Sequence, residues 1–102
     1  MKEYDLFIPL RDSDGQKLGP AKLKELQAEL VEHFGGLTNF PQANLGLWKF
    51  GDAVYRDEIV IFRVLSNDAE SAAQFLRKIK SRLEAELKQD EILIVARDVE
   101  SL

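Results

Sequence analysis

The segment VYRDEIVIFRVL, residues 54–65, decides the fold, because it is the stretch of the chain richest in β-forming residues. Every position from Ile59 to Val64 is apolar except Arg63, and successive side chains of a strand point to opposite faces. Both faces of this strand are therefore apolar. A strand of this kind belongs in the centre of a sheet that is covered on both sides, so we predict a central strand here.

A second strand precedes this one and pairs with it. The short extended runs 37–40 and 47–50 predict one strand that is interrupted by PQANLG, residues 41–46, where proline and glycine break the pattern. The segment FGDA, residues 50–53, predicts a tight turn, so the two strands form a hairpin. Interruptions of this type re-aim side chains and often lie near binding sites.

Two helices flank the hairpin in sequence. Pro20 suits a first helical position, and Gly35 with Gly36 ends a helix over residues 21–34. Its apolar residues recur at steps of three and four: Leu23, Leu26, Leu30, Val31 and Phe34.

The second helix is predicted from its cap and its apolar stripe. Asn67 with Glu70 resembles a capping box, and the helix runs to about Lys88. Its stripe repeats at the same helical spacing: Ala69, Ala72, Leu76, Ile79, Leu83 and Leu87.

Strands are also predicted at the two ends of the chain, over residues 4–11 and 91–98. Pro9 lies within the first of them and has no N–H to donate to a sheet. We therefore expect a bulge there, or a point where pairing has stopped on one side.

The order strand, helix, strand, strand, helix, strand predicts an α+β domain with the ferredoxin-like βαββαβ plait. In this fold two helices cover one face of a four-stranded antiparallel sheet, and the first and third strands are central. At 102 residues the chain has the size of one domain, so we assign residues 1–102 to a single domain.

The face of the sheet without helices should also be apolar, since the third and fourth strands carry apolar residues on both faces. Monomers rarely expose a large apolar patch, so we expect a homodimer packed sheet to sheet, as in dimeric α/β barrels. The alternative is that residues 99–102 or 41–46 fold across this face.

Composition excludes several classes of function. Eighteen acidic and 14 basic side chains give a net charge of −4, which disfavours binding to nucleic acid or to an anionic membrane. The chain has no cysteine, and it has no apolar run of the roughly 20 residues that span a bilayer. We expect a cytoplasmic protein without a metal or other cofactor.

Three short motifs carry a resemblance to a known kind of family: GGLT at 35–38, GLW at 46–48 and YRDEIVIFRV at 55–64. This pattern resembles small bacterial domains of unknown function with a ferredoxin-like plait, in which Gly-Leu-Thr precedes a Gly-x-Trp hairpin. The resemblance covers roughly residues 34–64. It implies the fold, and it carries over no catalytic residue.

A resemblance to RNA-recognition domains fails at the third strand. LFIPL at residues 6–10 is similar to the aromatic signature of their first strand. Their third strand carries a basic, glycine-containing aromatic run, whereas this chain has DEIVIFRV at 57–64. RNA binding is therefore disfavoured.

Two side chains need a structural or functional explanation. His33 is the only histidine and lies in the last turn of the first helix, where a positive charge favours the helix terminus. Arg63 interrupts the apolar third strand and therefore needs a partner. An acidic ligand is one alternative, but we favour an ion pair with an acid such as Asp5.

If the protein has a pocket, we expect the interruption at 41–46 and the single tryptophan to form its rim. Nearby amide side chains, His33 and Arg63 would complete this rim. The candidate residues are Asn39, Gln42, Asn44, Trp48, Arg63 and His33.

The sequence favours a homodimeric interaction module without catalytic activity, because no cluster of catalytic side chains accompanies the doubly apolar sheet. One alternative is a cofactor-independent monooxygenase or isomerase of the dimeric-barrel kind that acts on a small hydrophobic molecule. Another is a subunit of a larger assembly. Each of these three functions is compatible with a small-molecule ligand.

Overall fold

The computed structural model describes residues 1–102 and contains six elements in the predicted order. They are β1 Lys2–Pro9, α1 Pro20–Phe34, β2 Thr38–Phe50, β3 Ala53–Ser66, α2 Ala69–Leu87 and β4 Ile94–Asp98. The strands form one antiparallel sheet in the order β2-β3-β1-β4. The predicted ferredoxin-like α+β fold is confirmed, with β1 and β3 in the centre.

Both helices pack on one face of the sheet and enclose the core. Leu6 and Phe62 lie opposite each other on β1 and β3, and both are almost completely buried. The core is completed by the predicted helical stripes, of which these residues are buried: Leu26, Leu30, Ala72, Leu76, Ile79, Leu83 and Leu87. Ala69 and Val31 are exceptions, because both are exposed.

Pro9 ends β1 without leaving a hydrogen-bond donor unpaired. The Phe7 N–H donates to the Leu93 carbonyl on the β4 side at 3.0 Å, and alternate residues of a strand direct their N–H groups to the same side. The backbone nitrogen of Pro9 therefore points to the β4 side, at a place where β1 and β4 are no longer paired. The expected end of pairing on one side is confirmed.

The second strand is less interrupted than predicted. Asn44 to Phe50 pair regularly with β3, and the irregularity is confined to residues 41–43, a bulge between the pairs Phe40–Ile61 and Asn44–Ile59. The predicted six-residue interruption is therefore too long, because extra residues on one strand can be accommodated while the partner strand stays continuous. The turn is confirmed, with Gly51 at φ 62°.

The last strand begins later than predicted, at Ile94 instead of residue 91. Residues before it are held by α2, since Lys80 donates to the Ile92 carbonyl at 2.5 Å and Glu84 accepts the Ile92 N–H at 3.0 Å. Ile92 is 1% exposed and belongs to the core. Side chains of a neighbouring helix thus replace strand pairing at this point.

The helix ends agree with the sequence at α1 and differ at α2. Gly35 adopts the left-handed conformation at φ 78° and closes α1, as expected. The cap of α2 is Asp68, whose carboxylate accepts the Ser71 N–H at 3.1 Å, so the assignment of the cap to Asn67 is wrong.

Replacing Asp68 with alanine should therefore lower the free energy of unfolding by about 1 kcal/mol, the usual loss for an N-cap. Urea denaturation measures this directly. Asn67→Ala is the matched control and should lie within about 0.5 kcal/mol of the wild type. The reverse order of the two effects would restore Asn67 as the cap.

The face of the sheet opposite the helices, called the open face below, is not crossed by another segment. Residues 44–46 pair within β2, and the side chain of Leu102 is fully exposed at the chain end. The alternative, in which residues 99–102 or 41–46 fold across this face, is therefore wrong. No helix of the chain is long and apolar enough to cross a membrane.

Candidate functional site

A cluster of four charged side chains lies on the open face, where the cross-strand pairs Asp5–Arg63 and Glu3–Arg97 place them together. Arg63 donates from Nε and Nη2 to the two carboxylate oxygens of Asp5 at 2.8 and 3.0 Å. Arg97 Nη1 lies 3.1 Å from Asp5 Oδ2 and 2.6 Å from Glu3 Oε1. The ion pair expected between Arg63 and Asp5 is confirmed, and Glu3 and Arg97 extend it.

Asp5 is the buried centre of this cluster, with 4% of its surface exposed. Its pKa is held below the ordinary value of 3.8, chiefly by the hydrogen bonds from Arg63 and also by those from Arg97, which outweigh the opposing effect of burial. The guanidinium of Arg63 also lies over the Phe40 ring, 5.0 Å from its centroid. The cluster is therefore ionised and internally neutral.

Asp5 should make stability depend on pH in the acid range. Because its folded-state pKa is depressed, its contribution is fully present above 3.8 and is lost as the pH falls through the lower folded-state value. Asp5→Asn should lower the free energy of unfolding by about 1–3 kcal/mol at pH 7 and by less at pH 3. Urea denaturation at a series of pH values measures both.

The control for this experiment is Asp98→Asn, which removes an exposed pair with Lys2 at 2.9 Å. Its side chain is 85% exposed, so the variant should follow the wild-type pH profile closely. If Asp5→Asn loses as much stability in acid as the wild type does, the protective role of this cluster is wrong.

The β2–β3 hairpin extends beyond the rest of the sheet and is apolar on both sides. Pairing of β3 with β1 stops at Ile59, whereas β2 and β3 remain paired to Phe50 and Ala53. We call residues 44–58 the hairpin arm. Its exposed large apolar residues are Trp48, Phe50 and Tyr55 on the open-face side and Leu45, Leu47 and Val54 on the other.

Trp48 and Tyr55 form a directly opposed pair on the arm, and each is about half exposed, at 42% and 56%. The indole also lies over Gly46, where an added Cβ would be 3.1 Å from its Nε1 atom. The glycine of the Gly-x-Trp motif therefore leaves room for the indole to lie along the strand.

The six predicted rim residues do not converge on one pocket. Asn44, Trp48 and Arg63 lie on the open face, since they share it with Ile59 and its neighbours. Asn39 lies opposite Phe62 and so points to the other face, and Gln42 lies in the bulge, where its carbonyl accepts from Asn44 Nδ2 at 2.9 Å.

His33 lies in the helical layer, on the far side of the sheet from Arg63. Its ring stacks on Phe75 with centroids 3.9 Å apart and planes inclined by 5°. His33 and Arg63 are therefore separated by the sheet. The sequence grouped them as candidate rim residues of one pocket, but only the packing of α1 on α2 determines the direction of the histidine.

Two adjoining depressions lie where α1 ends and α2 begins. The first, of about 270 Å³, is lined by residues 34–38 and 63–65 and so contains the whole GGLT motif together with Arg63. The second, of about 390 Å³, lies beside His33 and the start of α2. No group of three or more His, Cys, Asp and Glu side chains is placed to hold a metal ion.

Several residues of these surfaces were not anticipated from the sequence. Glu3 and Arg97 alternate in phase with Asp5 and Val95 on the two terminal strands, and that phase is the signal that could have placed them on the open face. Leu45 fell inside the predicted interruption, so its pairing with Glu58 was missed, whereas Leu47 lies in the part of the strand that was predicted.

The fold and the open face define a small ferredoxin-like α+β domain. Two solved structures share this fold. The first is a phage SAM lyase in complex with S-methyl-5′-thioadenosine, with a TM-score of 0.66 and 10% identity; the match covers 95% of this chain and 80% of the lyase chain. The second is the divalent cation tolerance protein CutA1 from Thermus thermophilus, with a TM-score of 0.65 and 16% identity; the match covers 99% of this chain and 86% of the CutA1 chain.

No family model matches the sequence, and no curated protein matches it. At identities of 10% and 16%, the two likenesses show the fold alone. They agree with the fold implied by the Gly-Leu-Thr and Gly-x-Trp motifs.

Proposed function

We propose that the protein is a cytoplasmic interaction module whose first partner is a second copy of itself, and that it has no catalytic activity of its own. The observation that carries this proposal is the hairpin arm, which exposes apolar side chains on both sides and extends past the point where pairing of β3 with β1 stops. An isolated two-stranded hairpin is marginally stable in water, so the arm needs a partner.

The exposed surface of the single chain supports the same conclusion. It measures 6886 Å², whereas a compact monomer of this mass exposes about 5,800 Å². The radius of gyration is 14.0 Å, against about 12.8 Å for a compact chain of this length. The excess of roughly 1,000 Å² is close to what one partner contributes to a standard protein interface.

A second copy suits this surface because each chain offers both contact surfaces, the hairpin arm and the open face. In a two-fold dimer each arm would lie across the open face of the other copy, so one symmetry operation buries both patches. The charges permit this contact, since Glu3 and Asp5 are already neutralised by Arg63 and Arg97. Such a face does not carry an uncompensated charge into the interface.

Light scattering during size-exclusion chromatography tests the proposal. The chain mass is 11.6 kDa, and at tens of micromolar we expect twice that value or a higher multiple. A mass that stays at one chain over the whole concentration range would contradict self-association. A monomer that elutes as a stable complex with a different protein would instead support the alternative of a subunit in a larger assembly.

A further inference from the structure

The depression beside the GGLT motif lies where β2 separates from β3. Pairing of the two strands starts at Thr38–Arg63, although β3 continues to Ser66. The Glu58 carbonyl accepts from the N–H of Leu10, just past the end of β1. Backbone groups of successive strand residues point to opposite sides, so the N–H of Leu65, seven residues further on, points to the β2 side. No strand residue is paired with Leu65 on that side.

Hydrogen-bond donors without protein acceptors line this depression. Outside the helices and strands, no backbone hydrogen bond involves Gly36 or Leu37, and both line it with Leu65. The side chain of Arg63 uses Nε and Nη2 for Asp5, which leaves Nη1 without an acceptor in the chain. Unpaired N–H groups beside a guanidinium form an anion-binding arrangement.

The remaining lining is apolar, and it limits the size and charge of a ligand. Phe34, Leu37 and Leu65 lie beside the donors, and about 270 Å³ gives room for roughly nine water-sized groups. The carboxylates of Glu3 and Asp5 and the negative end of α1 lie nearby, so a doubly charged group is disfavoured. A single negative charge on an apolar body fits best.

We propose that this depression binds a small carboxylate whose oxygens accept from Arg63, Thr38 and the adjacent backbone N–H groups, and whose body packs on Phe34 and Leu65. The free Nη1 of Arg63 can donate to one carboxylate oxygen, and the apolar walls complement an aryl or short alkyl group. All of these groups belong to one chain, so the site does not depend on self-association.

The test is an NMR titration of the ¹⁵N-labelled protein, in its native oligomeric state, with sodium benzoate. We expect saturable shifts at the amides of residues 36–38 and 65, with a Kd on the order of 1 mM for a ligand of this size. Benzamide has the same shape without the charge and should produce no saturable shift there. Equal shifts with benzamide, or shifts spread over the surface, would overturn the proposal.

Two variants make the result specific. Arg63→Lys should raise the Kd about tenfold, because lysine has one nitrogen, whereas arginine binds Asp5 through Nε and Nη2 and keeps Nη1 for the ligand. Thr38→Val keeps the shape of the side chain and should raise the Kd several-fold without disturbing Asp5. Arg77→Lys on exposed α2 is the control and should bind as the wild type does. Wild-type affinity in both site variants would place the benzoate elsewhere and end the proposal.

Discussion

Replacing Phe62 with alanine is expected to lower the free energy of unfolding by about 3–5 kcal/mol, the cost of removing a buried aromatic side chain and leaving a cavity. Phe62 is 1% exposed and lies on central β3, opposite Leu6, on the face that carries both helices. A domain of this size has a total stability of about 5–15 kcal/mol, so the loss is a large part of it. Urea denaturation and the thermal midpoint measure it.

Val31→Ala provides the control for this measurement. Val31 belongs to the apolar pattern of α1 but is 46% exposed, so its truncation should change stability by less than about 0.5 kcal/mol. A loss below about 1 kcal/mol for Phe62→Ala would mean that the helices do not pack on this face of the sheet. The two variants together separate the predicted core from the exposed flank of α1.

Introducing glutamate at both Trp48 and Tyr55 is expected to convert the oligomer into monomers. The two side chains are opposed on the arm and more than a third exposed, so they are available to a partner. Aromatic residues at the centre of an interface each contribute roughly 2 kcal/mol or more, so the dissociation constant should rise about a thousandfold. Analytical ultracentrifugation over a concentration series measures the change.

A second pair of glutamates, in Gln74→Glu/Ser81→Glu, is the matched control for this variant. Both positions are exposed on α2, so the net charge changes equally while the arm and the open face stay intact. This control should keep the wild-type mass. If the arm variant also keeps that mass while its circular dichroism is unchanged, the arm is not the surface through which the protein associates.

The fold could be predicted from the sequence because its determinants are local. Periodicity identified both helices and the central strand, Gly35 marked the end of α1, and the order of elements allowed few topologies. The partner of Arg63, Asp5, could also be predicted from the sequence, since a charge on a central apolar strand needs an opposite charge on the neighbouring strand.

The errors occurred where a distant segment replaces a local signal. The interruption of β2 was predicted to be six residues long because Pro41 and Gly46 break strand patterns, but the continuous strand β3 keeps Leu45 and Gly46 paired. The last strand was predicted to begin at Glu91, yet Lys80 and Glu84 of α2 bind the backbone of Ile92, and β4 begins at Ile94. Neither partner could be identified from the affected segment itself.

The sequence by itself therefore determined the elements and their order, since both depend on spacing along a few residues. Only the tertiary structure decided that the hairpin extends past β1 as an arm, that His33 and Arg63 lie on opposite sides of the sheet, and that the GGLT motif opens beside Arg63. These features depend on where strand pairing stops and how the helices pack, and both are set by contacts between segments far apart in the chain.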